Sequence, residues 1–129
     1  MSERRVVRPP REVTYAVQRT LMTRFPCAYL NAEVELTEER EHHIADRHPD
    51  LLPEHRQRVA EVLADPDQIR KSVRFGRARL FSRWYTDLQR GRHVVVVVVS
   101  EPGPRKRHWI ITGYITKTLV EGEVEWRRR

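Results

Sequence analysis

The chain has 129 residues, 39% of them hydrophobic, which suits one compact domain and excludes two ordinary ones. Its formal net charge of +7 favours a polyanionic partner, most commonly nucleic acid and otherwise an anionic membrane surface. No run of about 18 apolar residues occurs, which argues against a membrane span, and no apolar signal core is seen, which argues against secretion. Cys27 is the single cysteine, so an internal disulfide and a cysteine-based zinc site are not expected. These features favour a cytoplasmic location.

The first thirty residues are predicted to form a basic N-terminal arm, and residues 31–129 a single folded domain. Residues 1–12 read MSERRVVRPPRE, a polar stretch broken by prolines that is typical of a loose terminus. Residues 13–30 fit a strand or a short helix equally well. The sequence AEVEL at residues 32–36 predicts a short strand.

Two helices are predicted next. Thr37 is a suitable N-cap, and acidic residues fill the turn after it, where the positive end of the helix dipole favours them. Arg47 and His48 fall in the last turn and Pro49 ends the helix, so it is predicted over residues 38–48. A second helix is predicted over residues 53–64, with Pro53 in its first turn.

Four strands are then predicted, over residues 69–75, 78–86, 92–100 and 109–118, with glycine- and proline-containing turns between them. Residues 94–99 are six consecutive valines, a pattern typical of a central strand that is buried on both faces. The expected fold is therefore α+β, with two N-terminal helices packed on one face of a four-stranded antiparallel sheet and a basic segment added before them.

The first helix is expected to present one polar edge beside the core. Arg40, His43 and Arg47 are spaced i, i+3 and i+7, so they share one flank of the helix. His42 and Asp46 point to the solvent side, where two ligands alone do not make a metal site. No metal or other cofactor is expected.

The strands are expected to add a cationic and aromatic surface. Arg79, Phe81, Arg83 and Tyr85 alternate onto one face of their strand, and His108, Thr112, Tyr114 and Thr116 onto one face of the last. Residues 70–93 carry eight arginine or lysine side chains and one acidic residue. If neighbouring strands combine Arg83 and Tyr85 with Thr112, Tyr114 and Thr116, the resulting surface suits single-stranded nucleic acid, because guanidinium groups bind phosphates and rings stack on bases.

The order of several strings resembles the phage-associated branch of the barnase–EndoU–colicin–RelE-like RNase superfamily. The strings are LTEEREHHIADRHPDLL, VLADPDQIRKS, RLFSRWY, HVVVVV and WIITGYITKTLVEGEVEW, which together cover most of residues 34–126. The resemblance implies two helices on a four-stranded sheet, substrate on the open sheet face, and metal-independent RNA cleavage in toxins or phage-linked effectors. The matching positions of the family site are His43, Arg47, Arg83, Thr112, Tyr114 and Thr116.

RNA cleavage of this kind needs a base for the 2′-hydroxyl, an acid for the leaving 5′-oxygen and cations for the phosphorane. His43 is the predicted proton-transfer group, Arg47 and Arg83 the phosphate clamps, and Thr112, Tyr114 or Thr116 the ligand of a non-bridging oxygen. The second proton-transfer group stays open between His48, His108 and Tyr114. Further substrate contacts are predicted from Arg40, Arg79, Phe81, Tyr85, Lys117 and His108.

Alternatives stay open at this point. A lone helix histidine such as His43 is more often structural than catalytic. A non-catalytic nucleic-acid-binding module on the same scaffold fits the basic charge equally, and a domain that mainly binds protein is the weaker third hypothesis. For the nuclease, the partners expected are RNA and an acidic inhibitor protein that covers the basic face.

Overall fold

The computed structural model describes residues 22–74, 76–104 and 106–129. Its two helices are α1 (Glu38–Arg47) and α2 (Arg56–Ala64). Its strands are β1 (Met22–Cys27), β2 (Ala32–Thr37), β3 (Gln68–Lys71), β4 (Ala78–Tyr85), β5 (Arg92–Ser100), β6 (His108–Thr116) and β7 (Glu123–Arg127). The strands form one sheet in the order β1-β2-β6-β5-β4-β3-β7, in which only the β2–β6 pair is parallel.

The predicted four-stranded antiparallel sheet is wrong, because the sheet is mixed and has seven strands. The four expected strands do form its centre, as the meander β3–β4–β5–β6. The β1–β2 hairpin extends one edge through a turn in which Asn31 has a φ of 53°, a left-handed conformation that asparagine tolerates. At the other edge, the chain beyond β6 returns to pair β7 with β3.

The N-terminal boundary predicted at residue 30 also moves. Residues 22–27 form β1, whose Phe25 and Cys27 are buried and pair in register with Val34 and Ala32 of β2. Residues 22–30 therefore belong to the folded domain. The rest of the predicted arm, residues 1–21, lies outside the described residues.

The start of α1 is as predicted from its N-cap. The Thr37 hydroxyl accepts a hydrogen bond from the Arg40 backbone N–H at 3.1 Å, which satisfies one of the unpaired donors of the first turn. Only Ile44 of this helix is buried. The second helix begins later than predicted, at Arg56 rather than Pro53, because turns occupy residues 51–55.

The central valine strand is confirmed, and it divides two hydrophobic layers. Val94, Val96 and Val98 pack with residues of both helices on one face, and the larger core lies there. Val95 and Val97 point to the opposite face. There they pack with Ala78 and Leu80, and with the half-buried Tyr114 and Leu119. Both faces of the strand are buried, as a run without alternation predicts.

The face opposite the helices is only partly open. A bulge in the β5–β6 pairing lets Val97 face Thr112 and Val98 face Ile110, so Ile110 joins the helix-side core and Tyr114 the second layer. Residues 117–122 then connect β6 to β7. Leu119 packs on the second layer, and the Glu121 carbonyl accepts a hydrogen bond from Arg70 of β3. The crossing segment therefore covers part of this face.

Candidate functional site

The predicted helix edge is exposed and points away from the sheet. Arg40, His43 and Arg47 are all exposed. Within the described residues, their side chains form no hydrogen bond or ion pair. Among the described residues, this row therefore has no partner that would hold its side chains in a fixed geometry.

The predicted residues of β4 lie on the helix side, where they have structural contacts. Phe81 is fully buried in the larger core. The Tyr85 hydroxyl donates to Glu61 of α2 at 2.7 Å, and its pKa is raised by burial and by this carboxylate. Arg83 donates to the Asp65 carbonyl oxygen at 3.2 Å and pairs with the Asp65 carboxylate at 3.6 Å.

The predicted hydroxyl residues of β6 lie on the other face. Val95 and Val97, the register partners of Tyr114 and Thr112, belong to the second layer. Thr116 donates to the Thr118 carbonyl at 2.9 Å, and the adjacent Lys117 is exposed. The expectation that Arg83 and Tyr85 share one surface with these residues is therefore wrong, because the sheet itself separates them.

One contact does join the end of α1 to β6. The ring of His48, the C-cap residue, lies 6.1 Å from the ring of Tyr114. Burial raises the pKa of Tyr114, and the nearby Glu121 adds to this effect while Arg70 opposes it. The ring contact between the end of α1 and β6 is thus made by His48, and not by His43 or Arg47.

A concave site lies elsewhere, at the end of the sheet where the β3–β4 and β5–β6 loops emerge. It is a cleft of about 750 Å³, a volume typical of small-molecule and nucleotide sites. Four cationic side chains line it, together with two carboxylates, a phenol and an imidazole. These are Lys71, Arg77, Arg79 and Lys106, with Glu101, Glu125, Tyr29 and His108.

His108 is the cleft residue best suited to proton transfer. It pairs in register with Ser100 across the β5–β6 hairpin, and its Nδ1 lies 2.7 Å from the Ser100 hydroxyl. Burial lowers the pKa of His108, and the positive charges of Arg79 and Lys106 lower it further. The imidazole is therefore neutral near pH 7, and Nε2 is a proton acceptor when Nδ1–H donates to Ser100.

A second polar group forms around Glu125. This residue has no register partner in β3, because the β3–β7 pairing passes from Trp126 to Val124. Its carboxylate accepts hydrogen bonds from the Tyr29 hydroxyl at 2.5 Å and from Arg79 Nε at 2.8 Å. Burial alone would raise the pKa of Glu125, but the bonds from Tyr29 and Arg79 outweigh it and the pKa is lowered. The carboxylate therefore stays ionised.

Arg79 connects these two groups. It binds Glu125 directly, and its charge reaches His108. The other oxygen of Glu125, Oε1, is buried and has no hydrogen-bond partner among the described residues. An unsatisfied buried oxygen is costly, so its persistence here is compatible with a site in which polar atoms are arranged for a ligand.

Only Arg79 and His108 of this cleft are among the predicted substrate contacts. Tyr29 lies in the segment that was predicted as an arm, and Glu125 lies in a stretch that was not assigned to any strand. Neither position shows a local pattern that points to a site. The Ser100–His108 pair could have been predicted, because the turn sequence EPGP at residues 101–104 indicates a hairpin. The residues that flank such a turn face each other across the two strands.

The described residues contain no group of three or more histidine, cysteine or acidic side chains placed to hold a metal ion. None of the helices in the described part of the chain is long and apolar enough to span a membrane. Comparisons with known protein families, curated proteins and solved structures find no match to this chain.

Proposed function

We propose that this protein is a metal-independent endoribonuclease whose active site is the basic cleft around His108. The observation that carries the proposal is a buried, neutral imidazole beside four cationic side chains in a cleft of about 750 Å³. The cations attract and orient a phosphodiester, and the imidazole, whose pKa is lowered by burial and by the charges of Arg79 and Lys106, supplies an unprotonated nitrogen that accepts a proton.

In the proposed reaction, Nε2 of His108 takes the proton of a ribose 2′-hydroxyl. The 2′-oxygen attacks the adjacent phosphorus, the bond from phosphorus to the 5′-oxygen breaks, and that oxygen takes up a proton. Lys106 and Tyr29, which line the cleft, are the available donors. Arg77, Arg79 and Lys71 stabilise the charge of the phosphorane, and the products are a 2′,3′-cyclic phosphate and a 5′-hydroxyl.

The order of the sequence strings that resemble the phage-associated RNase branch supports this proposal, although the residues proposed here differ from the matching family positions. A toxin or phage-linked effector of this type would act on RNA in the cytoplasm. An acidic inhibitor protein would complement the cationic cleft.

A non-catalytic RNA-binding domain is the second candidate, and one observation favours it. His108 is only 5% exposed, which restricts the approach of a ribose hydroxyl to its ring. In this case the cations bind the phosphate backbone and no bond is broken.

The test is to incubate the full chain with single-stranded RNA in excess EDTA and to identify the product ends. Fragments with 2′,3′-cyclic phosphate and 5′-hydroxyl ends are expected, and RNA carrying a single 2′-deoxy residue should resist cleavage at that position only. Intact RNA together with a salt-sensitive gel shift would reject the nuclease in favour of the binding domain.

A further inference from the structure

A second aromatic site stands at the other end of the sheet from the cleft. Trp84, in β4, is 41% exposed, whereas Trp126 packs against Tyr29 and Trp109 is half-buried beneath Arg107. Trp84 follows Ala78, which lines the cleft, by six residue-to-residue steps along the extended strand. At about 3.3 Å per residue, Trp84 is roughly 20 Å from the cleft.

The indole of Trp84 is held in place although it is exposed. Its ring lies so close to the Gly91 backbone that a Cβ built at Gly91 would come within 2.5 Å of the indole Cζ2. The ring of His93 packs edge-on against it, with centroids 4.8 Å apart. The Trp84 backbone N–H donates to Asp67 at 2.7 Å. A ring that is already fixed loses little conformational entropy when a ligand stacks on it.

Two arginines are carried by the turn and the strand next to this ring. The turn that supports it ends at Gly91 and carries the exposed Arg90. Arg92 follows at the start of β5, where its guanidinium donates to carbonyl oxygens of the same turn. Two acidic residues also lie in this region: Asp67 is 3.6 Å from Arg128, and Asp87, in the same turn, pairs with Arg58 at 3.0 Å, so both negative charges are partly neutralised.

We infer that Trp84 is a stacking site for an unpaired base of single-stranded RNA. The inference deepens the proposed function, because it specifies unpaired RNA as the substrate. A fixed aromatic face next to arginine side chains is the arrangement that binds single strands without sequence preference. A base-paired duplex hides the faces of its bases and cannot stack on the ring.

The test measures binding of a single-stranded 2′-deoxy oligonucleotide, which the proposed reaction cannot cleave. Trp84→Ala should weaken binding about 5- to 150-fold, the range for loss of one stacked base, and Trp84→Phe should retain most of the affinity. The slope of affinity against salt should not change, because no charge is removed. Val120→Ala alters an 84% exposed side chain and serves as the matched control.

Three results would overturn the inference. The first two are wild-type affinity in Trp84→Ala and an equal loss of affinity for the duplex of the same sequence. A loss of affinity in Trp84→Phe as large as in Trp84→Ala would also overturn it. Failure of the proposed nuclease function would give a different result from failure of this inference. RNA would then stay intact with every variant, but Trp84→Ala would still lose affinity for the single strand.

Discussion

The exposed edge of α1 and the cleft around His108 carry similar side chains in different surroundings. Arg40, His43 and Arg47 are close in sequence, and all three are exposed. In the cleft, residues from β1–β2, β4, β5, β6 and β7 come together, and His108 and Glu125 have fixed hydrogen-bond partners. In the cleft, burial and the neighbouring cations lower the pKa of His108, and the bonds from Tyr29 and Arg79 lower the pKa of Glu125. Spacing along one helix places side chains on one flank, but it does not enclose them as the cleft does.

The largest expected difference between the two regions concerns the imidazoles. His108→Asn should lower kcat/KM for RNA cleavage by about 10²- to 10⁴-fold, the usual contribution of a general base, while His43→Asn should stay within about twofold of wild type. Circular dichroism and thermal unfolding of both variants check that the buried site still folds. A larger loss of kcat/KM in His43→Asn than in His108→Asn would indicate that the active site lies at the helix edge instead.

The cations provide a charge-matched comparison. Arg77→Gln with Lys106→Gln removes two exposed charges from the cleft, and Arg40→Gln with Arg47→Gln removes two from the helix edge. Because single-strand binding changes with salt by about 0.7 per neutralised phosphate, the cleft pair should reduce the slope of log affinity against log salt by about 1.4. The helix pair should change it less. Equal changes would show that only net charge matters.

The helix edge should respond in stability rather than in activity. Thr37→Ala removes the N-cap bond to the Arg40 backbone N–H and should lower the free energy of unfolding by about 0.5–2 kcal/mol. Urea unfolding measures this effect, and RNA cleavage at a temperature where the variant is folded should be unchanged. Thr86→Ala alters an exposed threonine outside the helices and is the control. A loss of activity in folded Thr37→Ala would link α1 to catalysis.

The smallest expected effect is a pH dependence of stability that the cleft contributes. Burial lowers the pKa of His108 below 6.5, so the unfolded chain binds this proton more readily than the folded chain. The stabilisation is fully present above about pH 6.5 and is lost as the pH falls through the folded pKa. Urea unfolding at pH 7.5 and pH 5.5 should show a smaller acid loss in His108→Asn than in wild type. An identical loss would show that His108 does not contribute.

His93 titrates with the same sign and must be separated from His108. Burial lowers its pKa as well, with Asp67 opposing the shift and Arg70 adding to it. A His93→Gln variant measured beside His108→Asn resolves the two contributions, because the residues lie at opposite ends of the β5–β6 pair. The pH profile of cleavage should respond to His108→Asn alone.

The sequence predicted those parts of the fold that depend on interactions between residues close together in the chain. The Thr37 cap placed the start of α1, and the valine run placed the central strand. The strands β1 and β7 could not be predicted in the same way, since each gains its stability from a distant partner: β1 from β2 and α2, and β7 from β3. A short segment adopts strand structure only when such a partner is in place.

The candidate site was predictable in part for the same reason. His108 and Arg79 stood out as polar residues on strands, and alternation placed Arg79 on the same face as Phe81 and Tyr85. The face of His108 could not be assigned from alternation, because β6 contains a bulge. One extra residue moves the following side chains to the other face. Tyr29 and Glu125 are 96 positions apart in the chain, and no sequence pattern connects them.

The pairing between β2 and β6 connects the β1–β2 hairpin to the rest of the sheet. These strands share a single register pair, Glu35 with Trp109. The β1–β2 hairpin is therefore held to the sheet mainly by the side chains that it buries in the larger core. Tyr29 belongs to that hairpin and forms one wall of the cleft. Since Phe25, Cys27, Val34 and Leu36 of this hairpin are buried in the larger core, local opening of the hairpin would expose them, and it would also widen the entrance to His108. Amide exchange in β1 should therefore be faster than in β5, and a ligand that fills the cleft should slow it.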